Sequence, residues 1–417
     1  MISFATRNKT PLPTSQLPAP LLRLHRYLTR LGGRLSRLRA QHLQRRFCKC
    51  HIAVTGSCGK TTATKLINDL LLATGATVAA GVHMNNGRYL WRTMSKLRGA
   101  TDFVVQEVGA GWPGAIAELT DHFTVDLAVV TTVGYDHGSA YDVPYSDVLD
   151  AIALEKGTLV EAVGPSGLVC LNADDLRVAA MAARTGARVV TFGRAESADV
   201  RAVDVGARWP ERLHFNLLIG GRSYPVRTRF VGTIMLPSVL AALAVVHGSG
   251  RDLQKAVEAL ATAEPARRHM SVVEGESSGR AYVVDIEKAP LWSTQLLVDD
   301  VDAIGGKGML FVLGEMSDMR SGKTRHYTKL ARQLASRVDR VILTGQAAAA
   351  EPRLSLEGVA NVFAAPSANE VAELVATGTE RLVVLKCKAG SDLAQVIPLV
   401  EARSLRPTPP PPARTLR

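Results

Sequence analysis

Residues 54–62 read VTGSCGKTT. No other stretch limits the possible folds so sharply. The apolar run HIAVT leads into it, and TTATKLINDLLLA follows, with Ala63, Leu66, Ile67, Leu70 and Leu71 on one helical face. That order, buried strand, glycine-rich loop, helix, is how a chain cradles a phosphate. Gly56 and Gly59 let backbone N–H groups close around phosphate oxygens, and the helix N-terminus adds the positive end of its dipole. Lys60 is placed to reach the β- and γ-phosphates, and the Thr61 hydroxyl to take a Mg²⁺ ligand position. Ser57, Cys58 and Thr62 complete the candidate nucleotide-binding set. The general pattern G-x-x-x-x-G-K-[ST] does not fit, because Val54 stands at its first glycine; the shorter T-G-x-x-G-K-T-[TS] does.

Such a loop sits at the end of a parallel strand, and the rest of the chain reads accordingly. Buried-strand candidates recur at 102–108, 126–133, 167–172 and 187–192, with helical patterns between most of them. Residues 198–230 switch to short alternating segments, RLHFNLLI and SYPVRTRF, which predict antiparallel hairpins added to the sheet. Helices are expected near 236–247 and 252–262. After AEPARRH (263–269) a second series begins: YVVDI, GMLFVLG, RVILTG and RLVVLK. The predicted fold class is therefore α/β. It has a central phosphate-loop domain at 51–264, mostly parallel with antiparallel hairpins, and a smaller Rossmann-like α/β domain at 265–402. A basic arm at 1–50 precedes them, and a proline-rich tail follows at 403–417.

Charge separates the arm from the body. Residues 1–50 hold 11 basic residues and no acidic one, leaving 39 basic against 38 acidic residues in the rest. The net charge of +12 thus belongs to the arm and does not describe a basic globule. Leucines alternate with arginines at helical spacing over 20–46, interrupted by Gly32-Gly33. This fits a helix packed on the body or one lying on an anionic membrane surface; no specific nucleic acid is expected. No apolar run approaches a membrane span, and no signal peptide is seen. Five irregularly spaced cysteines do not form a disulfide framework, so a reducing, cytoplasmic setting is expected, possible peripheral membrane contact included. Cys48-Lys49-Cys50-His51 has metal-ligand residue types but spacing too tight for a zinc site. Cys58, beside a helix N-terminus that lowers thiol pKa, reads as an inert small residue.

The phosphate loop resembles that of the Mur ligases, ATP-dependent amide-bond-forming enzymes of cell-wall synthesis whose relatives include folylpolyglutamate, cyanophycin and poly-γ-glutamate synthetases. Similarity extends over roughly 51–402. VVQEVGAGWPGAIAEL resembles the strand ending in the family's metal-binding glutamate, here Glu107. DLAVVTTVGYDH resembles its T-N-I-x-x-D-H segment, with His137 at the metal-binding histidine. DAIALEKGTLV is similar to the segment carrying its modified lysine, here Lys156, and VCLNADD to its N-x-D-D stretch. PARRH stands where the family has P-x-G-R, which makes Arg267 the phosphate-contacting arginine. VVDIEKAP, VLGEMSDM and LKCKAGSD resemble the C-terminal domain of the ligase that adds D-Ala-D-Ala, with Asp285 at a ribose contact and Lys288 at a substrate contact. Asn85 and Asn86 resemble a substrate-side loop.

Two departures stand out. The family's H-N-x-x-N reads Ile234-Met235-Leu236-Pro237-Ser238 here, so the implied adenine-contacting asparagine is Ser238. The N-terminal domain that holds a UDP-sugar precursor is missing from the reading, and a 50-residue basic segment does not substitute for a domain of ordinary size.

The resemblance implies an ADP-forming carboxylate–amine ligase. It uses ATP and Mg²⁺, joins a small-molecule or peptide carboxylate to an amino-acid amine, and works through an acyl phosphate. Catalytic roles fall to Lys60, Lys156, His137 and Arg267, and metal ligation to Thr61, Glu107, His137 and Lys156. ATP spanning two domains implies an open resting form. Two alternatives stand beside it: a phosphate-loop kinase or GTPase-type switch, and a degenerate ligase that acts as a binding protein through its arm.

Overall fold

A computed structural model describes residues 35, 37–82, 93–95, 97–121, 123–136, 140–141, 145–317, 319 and 322–404. His137, Asn85, Asn86, most of the basic arm and the tail from 405 lie outside the described residues.

Nine strands form the first sheet: β1 (Cys48–Thr55), β2 (Val78–Gly81), β3 (Thr101–Glu107), β4 (Val125–Val130), β5 (Val163–Asn172), β6 (Arg188–Gly193), β7 (Val200–Gly206), β8 (His214–Ile219) and β9 (Arg222–Arg227). Their order is β2-β3-β1-β4-β5-β6-β7-β8-β9. Pairing is parallel as far as β7 and antiparallel for β7–β8 and β8–β9, as expected for the hairpin segment. The period-two alternation of a strand divides the core into two layers. Ile52, Val54, Leu127 and Val129 face one side, where α1 (Lys60–Ala73) packs through Leu66, Ile67 and Leu70. Ala53, Ala128 and Val130 face the other, against Ile152, Leu159 and Val160 of α3 (Val148–Glu161), which follows the short α2 (Ala115–Thr120). Strands covered on both faces carry near-continuous apolar runs, which is why these were legible.

α4 (Leu236–Gly248) is apolar all round and buried on nearly every side, the behaviour of a helix enclosed by others. It contacts α1 and, with it, α5 (Leu253–Leu260). Ahead of the sheet, 37–47 are helical and docked: Ala40 is buried, and the Gln44 amide donates to the Thr124 carbonyl at 2.7 Å. The first strand starts at Cys48, so the body begins earlier than residue 51.

The second sheet has six strands: β10 (Ser271–Glu274), β11 (Ala281–Asp285), β12 (Met309–Leu313), β13 (Arg340–Leu343), β14 (Val362–Ala364) and β15 (Leu382–Lys386), in the order β10-β11-β15-β12-β13-β14. Only β10 is antiparallel to its neighbour. Val283, Phe311 and Val384 face α6 (Leu291–Asp299) and α7 (Lys323–Ala335). Tyr282, Leu310 and Leu385 face α8 (Ala368–Ala376) and α9 (Val396–Ser404). Sequence patterning missed β2, β10 and β14, all three or four residues long, because so few positions show no period.

The two sheets share apolar packing: residues of α4 and of α6 belong to one contiguous cluster. At the junction Asp300 accepts from the Ile234 N–H at 3.0 Å and from the Thr233 hydroxyl, and the Trp209 N–H donates to the Ile304 carbonyl at 2.7 Å. The two halves are thus in contact at this junction.

Gly167 marks an irregularity where β5 meets β4. A Cβ there would lie 2.6 Å from the Asp126 carbonyl oxygen and 2.4 Å from Val163. Gly167→Ala is expected to lower stability by about 1–3 kcal/mol, since a backbone neighbour has to move. A urea midpoint equal to wild type would show that the strand yields freely.

Candidate active site

The phosphate loop leaves β1 at Thr55 and enters α1 at Lys60. Gly56 has φ 146° and Gly59 φ 83°, both in the region that favours glycine. Space is as restrictive as torsion. A Cβ on Gly56 would fall 1.9 Å from the Thr131 hydroxyl, and one on Gly59 2.6 Å from the Ser238 hydroxyl. The loop is fastened to the segment after β4. The Ser57 N–H donates to the Thr132 carbonyl at 2.8 Å, the Cys58 N–H to the Thr132 hydroxyl at 3.0 Å, and the Thr131 hydroxyl to the Cys58 carbonyl at 2.6 Å. No side chain caps α1, so its first N–H groups stay available to an anion.

Lys60 is buried. Its ammonium donates to the Gly56 carbonyl and stands 3.4 Å from the Asp136 carboxylate. Thr61 points the other way, and its hydroxyl donates to Glu107 Oε2 at 2.9 Å. Glu107 ends β3, directly beside Val54 in register, and is 1% exposed. The parallel pairing of β1 and β3 thus places the loop threonine against the strand-end carboxylate. Both are hard oxygen donors, which suit Mg²⁺.

Lys156 lies on the inner stripe of α3 and is 1% exposed. Burial, and next the Lys60 ammonium, lower its pKa to about 7; Asp136 and Glu155 oppose the shift. Glu161, at the end of the same helix, pairs with Arg184 at 2.8 Å and not with Lys156. Glu155 accepts from the Gly114 and Ile116 N–H groups at 2.7 and 2.8 Å, which fixes the loop after β3 to α3.

The second sheet faces this loop. Asp285, at the end of β11, pairs with Lys386 of β15 at 2.6 Å, and Lys386 also donates to the Lys288 carbonyl. Both charges act on Cys58. Burial, however, raises that thiol, so the lowering expected from the helix terminus is not what dominates. Arg267 is exposed on the linker between the sheets. Ser238, at the start of α4, donates to the Gly59 carbonyl at 3.2 Å. Cys48, Cys50 and His51 belong to no group of three or more candidate metal ligands among the described residues.

The structure therefore gathers Gly56, Ser57, Cys58, Gly59, Lys60, Thr61, Thr62, Glu107 and Lys156 at one sheet end, with Asp285 across from them. Arg267 is not drawn into that group. Sequence reasoning missed Thr131, Thr132, Lys386 and Trp292. Trp292 stands over Gly134, where a Cβ would be 2.3 Å from the indole ring. Thr131 and Thr132 lie within DLAVVTTVGYDH and Lys386 within LKCKAGSD, segments whose resemblance was noted without a role for these residues; Trp292 carries no local signal.

The family model for the Mur ligase middle domain matches residues 54–246. Over these residues the chain resembles the middle domain of the Mur ligase family. It is 31% identical, over 304 residues, to the UDP-N-acetylmuramoyl-tripeptide–D-alanyl-D-alanine ligase of Mycobacterium tuberculosis, covering 70% of this chain and 58% of that protein. The chain thus spans well under two thirds of that relative. Among solved structures it resembles MurF from Acinetobacter baumannii (TM-score 0.74, 21% identity, 89% of this chain and 80% of that one). It also resembles MurF from Thermotoga maritima, solved with ADP (TM-score 0.73, 19% identity, 89% and 83%). At those identities the likeness is one of fold.

An unfolded Lys156 amine would hold its proton up to about pH 10.5 and the folded one only up to about 7. Between these values the unfolded chain binds more protons, so stability rises with pH across that window and the buried charge costs most below pH 7. In CO₂-depleted buffer, Lys156→Met is expected to be more stable than wild type at pH 6. That advantage should shrink between pH 7 and 10. Melting curves of constant difference across this range would contradict the assignment.

Proposed function

We propose that this chain is an ATP-dependent, ADP-forming carboxylate–amine ligase. The first sheet (51–264) acts as its nucleotide-binding domain and the second (265–402) as its ligase domain. One observation carries the reading most: Lys60, Thr61, Glu107 and Lys156 converge from three separate elements on the end of the sheet where the phosphate loop opens.

In this reading a substrate carboxylate oxygen attacks the γ-phosphorus of ATP and the bond to the ADP oxygen breaks, leaving an acyl phosphate. The amine then attacks the acyl carbon, phosphate departs, and the amine nitrogen loses a proton. Lys60 offsets charge on the transferring phosphoryl group when its ammonium turns from the Gly56 carbonyl to the nucleotide, and the α1 N-terminus holds the adjoining phosphates. Thr61 and Glu107 fit Mg²⁺, which supplies further charge neutralisation there. A buried amine near pH 7 is partly neutral and open to CO₂, so Lys156 serves as a carbamate, an oxygen donor that replaces a repelling ammonium. By the resemblance, His137 would serve as metal ligand and Asp285 as ribose contact, and Arg267, exposed on the linker here, would contact phosphate only after moving into the site.

The named function of the mycobacterial relative supports a peptide-like acid and an amino-acid or dipeptide amine as substrates. Among the described residues no helix is long and apolar enough to cross a membrane. Leu35 and Leu38 are exposed on a basic segment, which supports contact of residues 20–46 with an anionic membrane surface from the cytoplasmic side.

Lys60→Ala is expected to abolish amine-dependent ADP release while the circular dichroism spectrum stays that of wild type. Turnover at the wild-type rate would remove residues 56–62 from the nucleotide site. Deleting 1–34 together with Leu35→Ser and Leu38→Ser should leave ADP release intact and abolish salt-sensitive binding to phosphatidylserine vesicles; equal vesicle binding by this variant would refute the membrane contact.

A further inference from the structure

A cavity of about 620 Å³ opens between the two sheets, with Cys58 and Gly59 of the phosphate loop at one end. Its apolar walls come from both halves. Ile234 and Pro237 belong to the entry of α4, and Trp292 and Leu296 to one face of α6. Leu176 stands at the mouth and is 85% exposed. The Trp292 ring is half-buried and fixed on one side by Gly134.

Most polar side chains deep in the wall have partners of their own, while Arg177 at the rim pairs with Asp150 through Nε alone and Asp299 accepts from Gln295 through one oxygen. The Asn172 amide donates to the Thr131 carbonyl and accepts from the Asp174 N–H. Asp174 accepts from the Arg194 and Ala195 N–H groups. Asp175 accepts from Val133, and Asp300 from Thr233 and Ile234. Ser238, at the position of the family's adenine-contacting asparagine, spends its hydroxyl on Gly59. A ligand here meets apolar surface along its faces and few free partners along its edge.

We propose that this cavity seats the base of the nucleotide by stacking, with Trp292 as the platform, so that it selects purines over pyrimidines and discriminates weakly between adenine and guanine. The inference rests on the nucleotide-site reading above. Stacking scales with ring area and is indifferent to the pattern of donors and acceptors on the base, whereas edge recognition by an amide is not. Because Trp292 comes from the second sheet, a seated base also bridges the two halves, and the platform exists only while α6 lies on Gly134.

Isothermal titration of MgADP, MgGDP, MgUDP and inorganic tripolyphosphate into the full chain tests this. MgADP and MgGDP should bind within about ten-fold of each other and MgUDP clearly more weakly. Trp292→Ala should weaken both purine nucleotides about 5- to 100-fold and leave tripolyphosphate unaffected, with Trp292→Phe in between. Three results overturn the proposal: wild-type affinity for MgADP in Trp292→Ala while Lys60→Ala loses it, preference for MgADP over MgGDP beyond about 100-fold, or loss of tripolyphosphate together with MgADP in Trp292→Ala. The first leaves the ligase reading standing. Failure of the wild-type chain to bind any nucleotide overturns both.

Discussion

The phosphate loop holds its shape because the segment after β4 is pressed against it. Thr131 and Thr132 supply the carbonyl and hydroxyls that fix Ser57 and Cys58, and the Ser57 hydroxyl exchanges hydrogen bonds with Gly134 at 2.9 Å in both directions. Such close contact leaves no room for side chains, which is why Gly56 faces Thr131 and Gly59 faces Ser238. The same segment positions Asp136 for Lys60 and offers Gly134 as the bed for Trp292. The site therefore depends on β1 and β4 being neighbours, although the residues bonded between their loops lie 73 to 77 positions apart.

Charge in the site is arranged around that contact. Two lysines, Lys60 and Lys156, lie buried near one another, with Asp136 acting on both. Two buried ammonium groups near each other cost free energy unless one is neutralised. Lys60 has its carbonyl and carboxylate partners. Lys156 carries the burden instead, with its proton affinity brought down to about 7. A fold built for stability alone would place a methionine there, so the lysine points to chemistry.

The second sheet completes the site. The charges of Asp285 and Lys386, from β11 and β15, act on Cys58 of the loop, Trp292 of α6 packs on Gly134, and the shared apolar cluster and the Asp300 contacts hold that face in place. In the proposed reading the first sheet would grip the phosphates and the second would help to seat the base. Occupancy and packing of the halves are then parts of one event.

Much of this was written in the sequence. Strands covered on both faces have to be continuously apolar, so β1, β3, β4 and β5 announced themselves, and a strand followed by GSCGKT fixed where the nucleotide loop is. Glu107 at a strand end and Lys156 on an apolar stripe were visible because each violates its local pattern. The three- and four-residue strands β2, β10 and β14 left no period to detect. Likewise, nothing local distinguishes Trp292 from an ordinary core residue, and the segments that hold Thr131 and Lys386 do not say what those two touch. Their roles arise from parallel crossovers that bring distant strand ends to one edge and from the approach of the second sheet to the first. The sequence determined which groups are chemically out of place; the tertiary structure alone decided which of them meet, because their partners lie tens to hundreds of residues away along the chain.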